Sequence, residues 1–232
     1  MRVLFGVAAA ILLVACSPGI QTNIPESMAK APPKGEATDT TRAANAAVAD
    51  RLPLEDTSDF VDATRGLLAQ LKQDTITDVD GNVVWQVSRR DFIDGDSPDT
   101  VNPSLWRQER LNSEHGLFEV MDGIYQVRGY DLAVMSVIRG DTGWIIVDPL
   151  LSQETADIEA RGVPVLAPVG FTESAVAENL LAGNYMSRRA VLMFGNTLPS
   201  GPTGQVGVGL GPALSQGTIG LIAPTEEVPG RG

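Results

Sequence analysis

Leu105 to Pro149 reads LWRQERLNSEHGLFEVMDGIYQVRGYDLAVMSVIRGDTGWIIVDP. From Gly116 onward the pattern is β. The runs Leu117–Val120, Ile124–Arg128, Leu132–Arg139 and Trp144–Asp148 are separated by Asp122-Gly123, Gly129-Tyr130-Asp131 and Asp141-Thr142-Gly143. Turn clusters this short join antiparallel neighbours, so the stretch predicts an antiparallel meander. At least one face of such a sheet needs a cover.

The flanks supply the cover. On the N-terminal side, Asn102-Pro103 provides a cap and a first-turn proline for a short helix through Arg110. Thr75–Val87 (TITDVDGNVVWQV) is two extended runs around Asp80-Gly81, a pair suited to a tight hairpin turn. Ser58–Lys72 repeats apolar side chains at Phe60, Val61, Thr64, Leu67, Leu68 and Leu71, the spacing of one helical face, and predicts a helix. On the C-terminal side, Ser152–Ala160 reads as a short helix and Val163–Ala167 as a short strand. Thr172–Ala190 reads as a longer helix with Val176, Leu180 and Leu181 turned to the core.

Beyond Gly195 glycine dominates, and Val206–Gly211 spells VGVGLG. A dinucleotide loop needs a third glycine three residues on and a helix after it, whereas Pro212 and Ala213 follow here. No Gly-Lys-Ser/Thr is present either. The tail therefore reads as a flexible surface segment, and Glu226-Glu227 near its end as an acidic surface turn.

At the other end, Met1–Cys16 (MRVLFGVAAAILLVAC) combines a basic start at Arg2, an apolar run and Leu13-Val14-Ala15-Cys16. That is the form of a bacterial secretory signal, residues 1–15, closing in a lipobox with Cys16 as the lipidated residue. Ser17 favours the outer membrane, facing the periplasm, by analogy with other lipoproteins. Residues 16–50, rich in Pro, Ala, Thr and Ser, read as a flexible tether. Residues 51–232 are left as the folded domain. Cys16 is the only cysteine, so the mature fold holds no disulfide. Against 17 Lys and Arg stand 29 Asp and Glu, and a net charge of -12 excludes nucleic acid as a partner. An anionic ligand would need local positive charge or a metal.

The stretch quoted first, together with Val163–Ala190 (VPVLAPVGFTESAVAENLLAGNYMSRRA), resembles the secreted and periplasmic alkyl sulfatases of the metallo-β-lactamase fold. The resemblance implies an α/β, partial metallo-β-lactamase-like fold: an antiparallel sheet, flanking helices and the Gly-rich tail. It implies zinc chemistry in the family, in which two metal ions activate water for sulfate-ester hydrolysis. Between the two matched blocks the family places a His-x-His-x-Asp-His loop, whereas here Leu150–Gly162 (LLSQETADIEARG) joins them without a histidine. The chain then reads as an alkyl sulfatase internally deleted and truncated at its C-terminus, with no catalytic or zinc-ligating residue of its own, and inactive alone. No cofactor is expected in it.

His115, the single histidine, aligns in the N-terminal block, away from the metal motif, and reads as a packing or hydrogen-bonding residue. Asp148 matches the strand-end aspartate that braces the metal loop. Asn184 and Arg188 match the helix bordering the substrate cleft. A second reading is a non-catalytic lipoprotein that binds a partner chain or an amphiphile through a sheet face left uncovered.

Overall fold

In the computed structural model, which describes residues 35–156, 164–195, 197–220 and 222–229, the first element is a helix, α1 (Asp39–Ala49). The Thr38 hydroxyl caps it by accepting from the Thr41 amide at 3.0 Å. Arg42 and Asn45 fix it to the body of the chain through the Asp99 side chain (3.1 Å) and carbonyl (2.9 Å). The tether reading of residues 16–50 is corrected at this end. A stretch without an apolar face still folds, because alanine is the best helix former and the polar partners lie on the domain. The signal reading of residues 1–15 and Cys16 lie outside the described residues.

The helix expected over Ser58–Lys72 stops early, as α2 (Ser58–Thr64). Gly66 takes a left-handed φ of 76° and the chain continues as a strand, β1 (Leu67–Ala69). Glycine is required there twice over. The Gly66 carbonyl accepts from the Glu119 amide at 2.8 Å, and a Cβ at Gly66 would fall on the Glu119 carbonyl oxygen. Of the leucines that mimic a helical stripe, Leu67 and Leu68 are thus edge-strand residues, and Leu71 lies past the strand with its amide donating to the Tyr130 hydroxyl at 3.0 Å. The hairpin forms as expected, β2 (Thr75–Thr77) against β3 (Val83–Gln86). The Asp78 carboxylate accepts from the amides of Asp80 (2.9 Å) and Asn82 (2.8 Å) to hold its turn. After it α3 (Pro103–Asn112) starts under the Asn102 cap, which accepts from the Ser104 amide at 2.9 Å.

The meander is β4 (Gly116–Met121), β5 (Ile124–Arg128), β6 (Met135–Arg139) and β7 (Trp144–Val147). With β1 it makes a five-stranded antiparallel sheet in the order β1-β4-β5-β6-β7. Phe118 on β4 is fully buried, with the Arg128 guanidinium 4.6 Å from its ring centre. Past the sheet come α4 (Gln153–Ala156) and β8 (Leu166–Pro168). Residues 157–160 of the expected helix lie outside the described residues. The long helix expected over Thr172–Ala190 is present as α5 (Phe171–Ala177), a π-helical turn (Glu178–Ala182) and α6 (Gly183–Phe194). Glu226 and Glu227 belong to β9 (Glu226–Val228), parallel to β8, so the acidic-turn reading is corrected to an exposed strand.

The tail is also unlike its expectation. Val206 joins Ile93, Val101 and Trp106 in the main hydrophobic cluster, with Phe92 and Leu105 against it. Glu109 on α3, fully buried, accepts from the Gly209 amide at 2.9 Å. Arg90 Nε lies 4.0 Å from its second oxygen. Gly207 runs so close that a Cβ would fall on the Glu109 carboxyl. Glycines here serve close backbone approach rather than flexibility.

Burial pushes Glu109 above its ordinary pKa of 4.5, against the opposing pull of the Gly209 amide and Arg90, and the same burial brings Arg90 down to about 10. Because the folded pKa is raised, Glu109 contributes no pH dependence below 4.5. Stability is lost as pH rises from 4.5 through the folded value, where a charge must be held in the interior. Glu109→Gln removes that charge. Its melting temperature relative to the parent is expected to rise as pH increases from 4.5, whatever the offset at acid pH, and a difference independent of pH above 4.5 would contradict the assignment. Gly66→Val is expected to cost about 1–3 kcal/mol in chemical denaturation, since both its φ and its space are unavailable to a branched side chain.

Candidate functional site

The end of β7 is where the resemblance places the metal loop, and its geometry is dominated by Asp131. This residue comes from the Gly129-Tyr130-Asp131 turn between β5 and β6, and its carboxylate is buried. Oδ1 accepts from the Leu132 amide at 2.7 Å and the Ser215 amide at 3.2 Å. Oδ2 accepts from the Leu151 amide and the Ser215 hydroxyl, both at 2.8 Å. Three segments therefore meet on one side chain: the β5–β6 turn, the chain leaving β7, and the tail. Ser152, also buried, shares a hydrogen bond with the Thr155 hydroxyl at 2.9 Å and starts α4. Glu154 on α4 is tied to the tail by the Thr218 hydroxyl (2.7 Å) and amide (2.8 Å), which hold its carboxyl below the usual range.

Asp148 follows β7 with φ 53°, and its side chain faces solvent. Leu150 also has a positive φ, 71°, and donates to the Asp148 carbonyl at 2.8 Å. Two left-handed non-glycine residues on either side of Pro149 mark a strained turn. The carboxylate that holds the chain past this turn is that of Asp131. A sequence reading places Asp131 only as a turn residue, since nothing in Gly-Tyr-Asp tells a turn-tip aspartate from a buried one.

His115 is where the packing reading puts it. Its ring lies edge-on to Tyr130, with centroids 5.8 Å apart, and Nδ1 is 3.1 Å from the Ser113 carbonyl. A Cβ on Gly129 would collide with it. Asn184 and Arg188, four residues apart on α6, share a face and are both exposed.

Two larger clefts among the described residues carry charged or aromatic side chains in their walls. The larger, about 580 Å³, lies between the α1 cap, the end of α6 and the tail, with Val101, Leu105, Phe194 and Leu198 in its wall. Its one charged lining residue is Glu36, so it holds no acid–base pair. The second, about 460 Å³, sets Arg107 and Arg110 around Phe60, their guanidinium carbons 5.2 and 4.8 Å from the ring centre. Arg107 is engaged by Asp59 (2.9 Å) and the Asp56 carbonyl (2.8 Å), and Glu55 and Asp96 line the same cleft. The arginine charge there is balanced by carboxylates.

Zinc centres of the kind the resemblance implies are built from several imidazoles and carboxylates converging at about 2.0–2.2 Å. The sequence holds one histidine, committed to Tyr130 and Ser113. Among the described residues no three His, Cys, Asp or Glu side chains gather at one point. The residues present do not fit a zinc pair.

No family model matches the chain. It is 43% identical over 231 aligned positions to the linear primary-alkylsulfatase of Pseudomonas sp, covering 82% of this chain and 34% of that protein. To the alkyl/aryl-sulfatase BDS1 of Saccharomyces cerevisiae it is 41% identical, covering 78% and 34%. To the (R)-specific secondary-alkylsulfatase of Pseudomonas sp it is 38% identical, covering 79% and 34%. The fold superimposes on the stereoselective inverting sec-alkylsulfatase Pisa1 from Pseudomonas sp with a TM-score of 0.77 and 36% identity, covering 86% of this chain and 38% of that one. The chain spans about a third of the length of these curated relatives. The first alignment is 231 positions long yet takes in only 82% of the 232 residues, so the relative carries residues inside the matched range that this chain lacks. Over the matched four-fifths of its length, the chain belongs to the alkylsulfatases of the metallo-β-lactamase superfamily.

Proposed function

We propose that this chain is the scaffold of an alkyl sulfatase, descended from enzymes that hydrolyse alkyl sulfate esters and without that activity on its own residues. The likeness to alkylsulfatases in sequence and fold carries the first half of the reading. The single, structurally committed histidine supports the second. Hydrolysis of a sulfate ester needs a deprotonated water and positive charge on the departing sulfate, and zinc supplies both when bound. With a net charge of -12 and its cleft arginines balanced, the chain offers an anionic ester little attraction of its own. Zinc donors for the reaction would come from residues other than these. What the chain does retain is the support: Asp131 holding the turn past β7, and Glu109 holding the tail to α3.

We further propose that the mature chain is a lipoprotein of the bacterial cell envelope, anchored at Cys16. The lipobox Leu13–Cys16 supports this. Two acyl chains on one residue give stable attachment where one does not.

The catalytic reading is tested by sulfate release from hexyl sulfate, followed by ion chromatography, with the full chain in zinc-containing buffer. Release equal to the protein-free control is expected, and zinc-dependent release above it would overturn the reading. For the anchor, cells expressing the chain are expected to incorporate labelled palmitate into it, and Cys16→Ala to lose the label and move to the soluble fraction. Retention of label in that variant would place the lipid elsewhere.

A further inference from the structure

A smaller cleft, about 260 Å³, opens where β3 runs into a single 3-10 turn (Val87–Arg90) and the tail crosses them. The Gln216 amide donates to the Val84 carbonyl at 3.0 Å, so Ala213 and Leu214 of the tail form one wall. Ser215, between Leu214 and Gln216, is held by Asp131, which fixes that wall in place. Val83, Trp85, Arg89 and Arg90 belong to the other side, and no carboxylate lines the cleft.

Arg90 is poorly satisfied here. Its side chain is 12% exposed, yet among the described residues its guanidinium makes no hydrogen bond. Glu109 lies 4.0 Å from Nε, beyond bonding range, and the Trp85 ring centre is 5.9 Å from Cζ. Burial pulls the Arg90 pKa down to about 10, Glu109 opposes the fall and neighbouring Arg89 adds to it, so the group keeps its charge at neutral pH. Arg89 spends Nε on the Ser200 hydroxyl at 2.7 Å, and its other N–H groups are left over. Asp74 is committed to Ser88 and Gln86 and does not serve either arginine. Trp85 is buried with an indole N–H that has no acceptor. Adjacent like charges and surplus donors leave this place short of acceptor oxygens.

We propose that the cleft binds a small organic oxyanion, its charged head on Arg89 and Arg90 and its apolar body against Trp85, Val83 and Leu214. A guanidinium presents paired donors to a carboxylate or a similar head. Val83 and Leu214, 52% and 45% exposed, offer apolar surface that a few methylenes cover. An inorganic ion leaves that surface wet, and a neutral molecule leaves the guanidinium without its counter-charge, so neither meets both halves of the site. With a net charge of -12 the chain does not steer an anion from a distance, and recognition rests on contact inside the cleft. The lining holds no nucleophile or general base, so the ligand is bound there and not transformed.

Nuclear magnetic resonance of the full, isotope-labelled chain, titrated with hexanoate at neutral pH and constant ionic strength, reads the indole N–H of Trp85. A saturable shift of that resonance, with a dissociation constant on the order of 1 mM, is the expected result. Hexanol, with the same chain and no charge, is expected to leave it in place. Arg90→Gln is expected to weaken binding at least tenfold. Arg139→Gln, the same loss of charge at an exposed arginine paired with Asp122, is expected to leave it unchanged. Should Arg90→Gln lose its far-UV circular dichroism, Leu214→Asp replaces it: a carboxylate at that exposed wall position is expected to abolish the shift. A Trp85 resonance indifferent to hexanoate overturns the proposal. So does hexanol matching hexanoate, and so does binding unchanged in a folded Arg90→Gln or Leu214→Asp.

Discussion

One buried carboxylate, that of Asp131, holds the parts of this protein that the sheet alone does not. The meander is continuous through its own hairpins, but among the described residues the chain leaving β7 and the glycine-rich tail have no strand pairing to the sheet. Both are brought to it by hydrogen bonds to Asp131. Bonds to an ionised acceptor are about twice as strong as neutral ones. With four donors satisfied, the cost of keeping the charge away from water is offset by the groups it would otherwise leave unpaired. Glu109 plays the corresponding part for α3 and the other end of the tail, under greater electrostatic strain, since it has one amide donor and a distant arginine.

This arrangement explains how a chain can keep an alkylsulfatase fold while missing residues that its relatives carry within the same range. The support for the turn past β7 comes from upstream of the join, in the β5–β6 turn, and from downstream of it, in the tail. Neither depends on the residues that the relatives carry in between. The exposed edge of β7 is the complementary result: what the sheet cannot satisfy internally remains as surface.

The elements read correctly from sequence are those whose signals are local. Asp-Gly and Asp-Thr-Gly clusters between apolar runs specify the meander, and Asn102-Pro103 specifies the start of α3. Leu67, Leu68 and Leu71 were misleading because an edge strand following a helix carries on its apolar spacing, and only Gly66 marks the break. The tail was misread for a different reason. Glycine reports equally on freedom and on close approach, and the partner that decides between them, Glu109, is one hundred residues away. Asp131 and Ser215 escape notice likewise, 84 residues apart and without a motif. His115 was legible because a lone imidazole has no company to form a centre.

The separations of these contacts bear on how the chain acquires its structure. Closing loops of that length costs entropy before any contact compensates, so such contacts form late. During synthesis the strands of the meander emerge well before Val206, Gly209 and Ser215. Until those residues leave the ribosome, Glu109 and Asp131 have no tail to bind, and the cluster around Trp106 lacks one of its members. The glycine-rich segment is thus the closing step of assembly, and a chain stopped short of it would leave Glu109 without its Gly209 donor and Asp131 without both donors of Ser215.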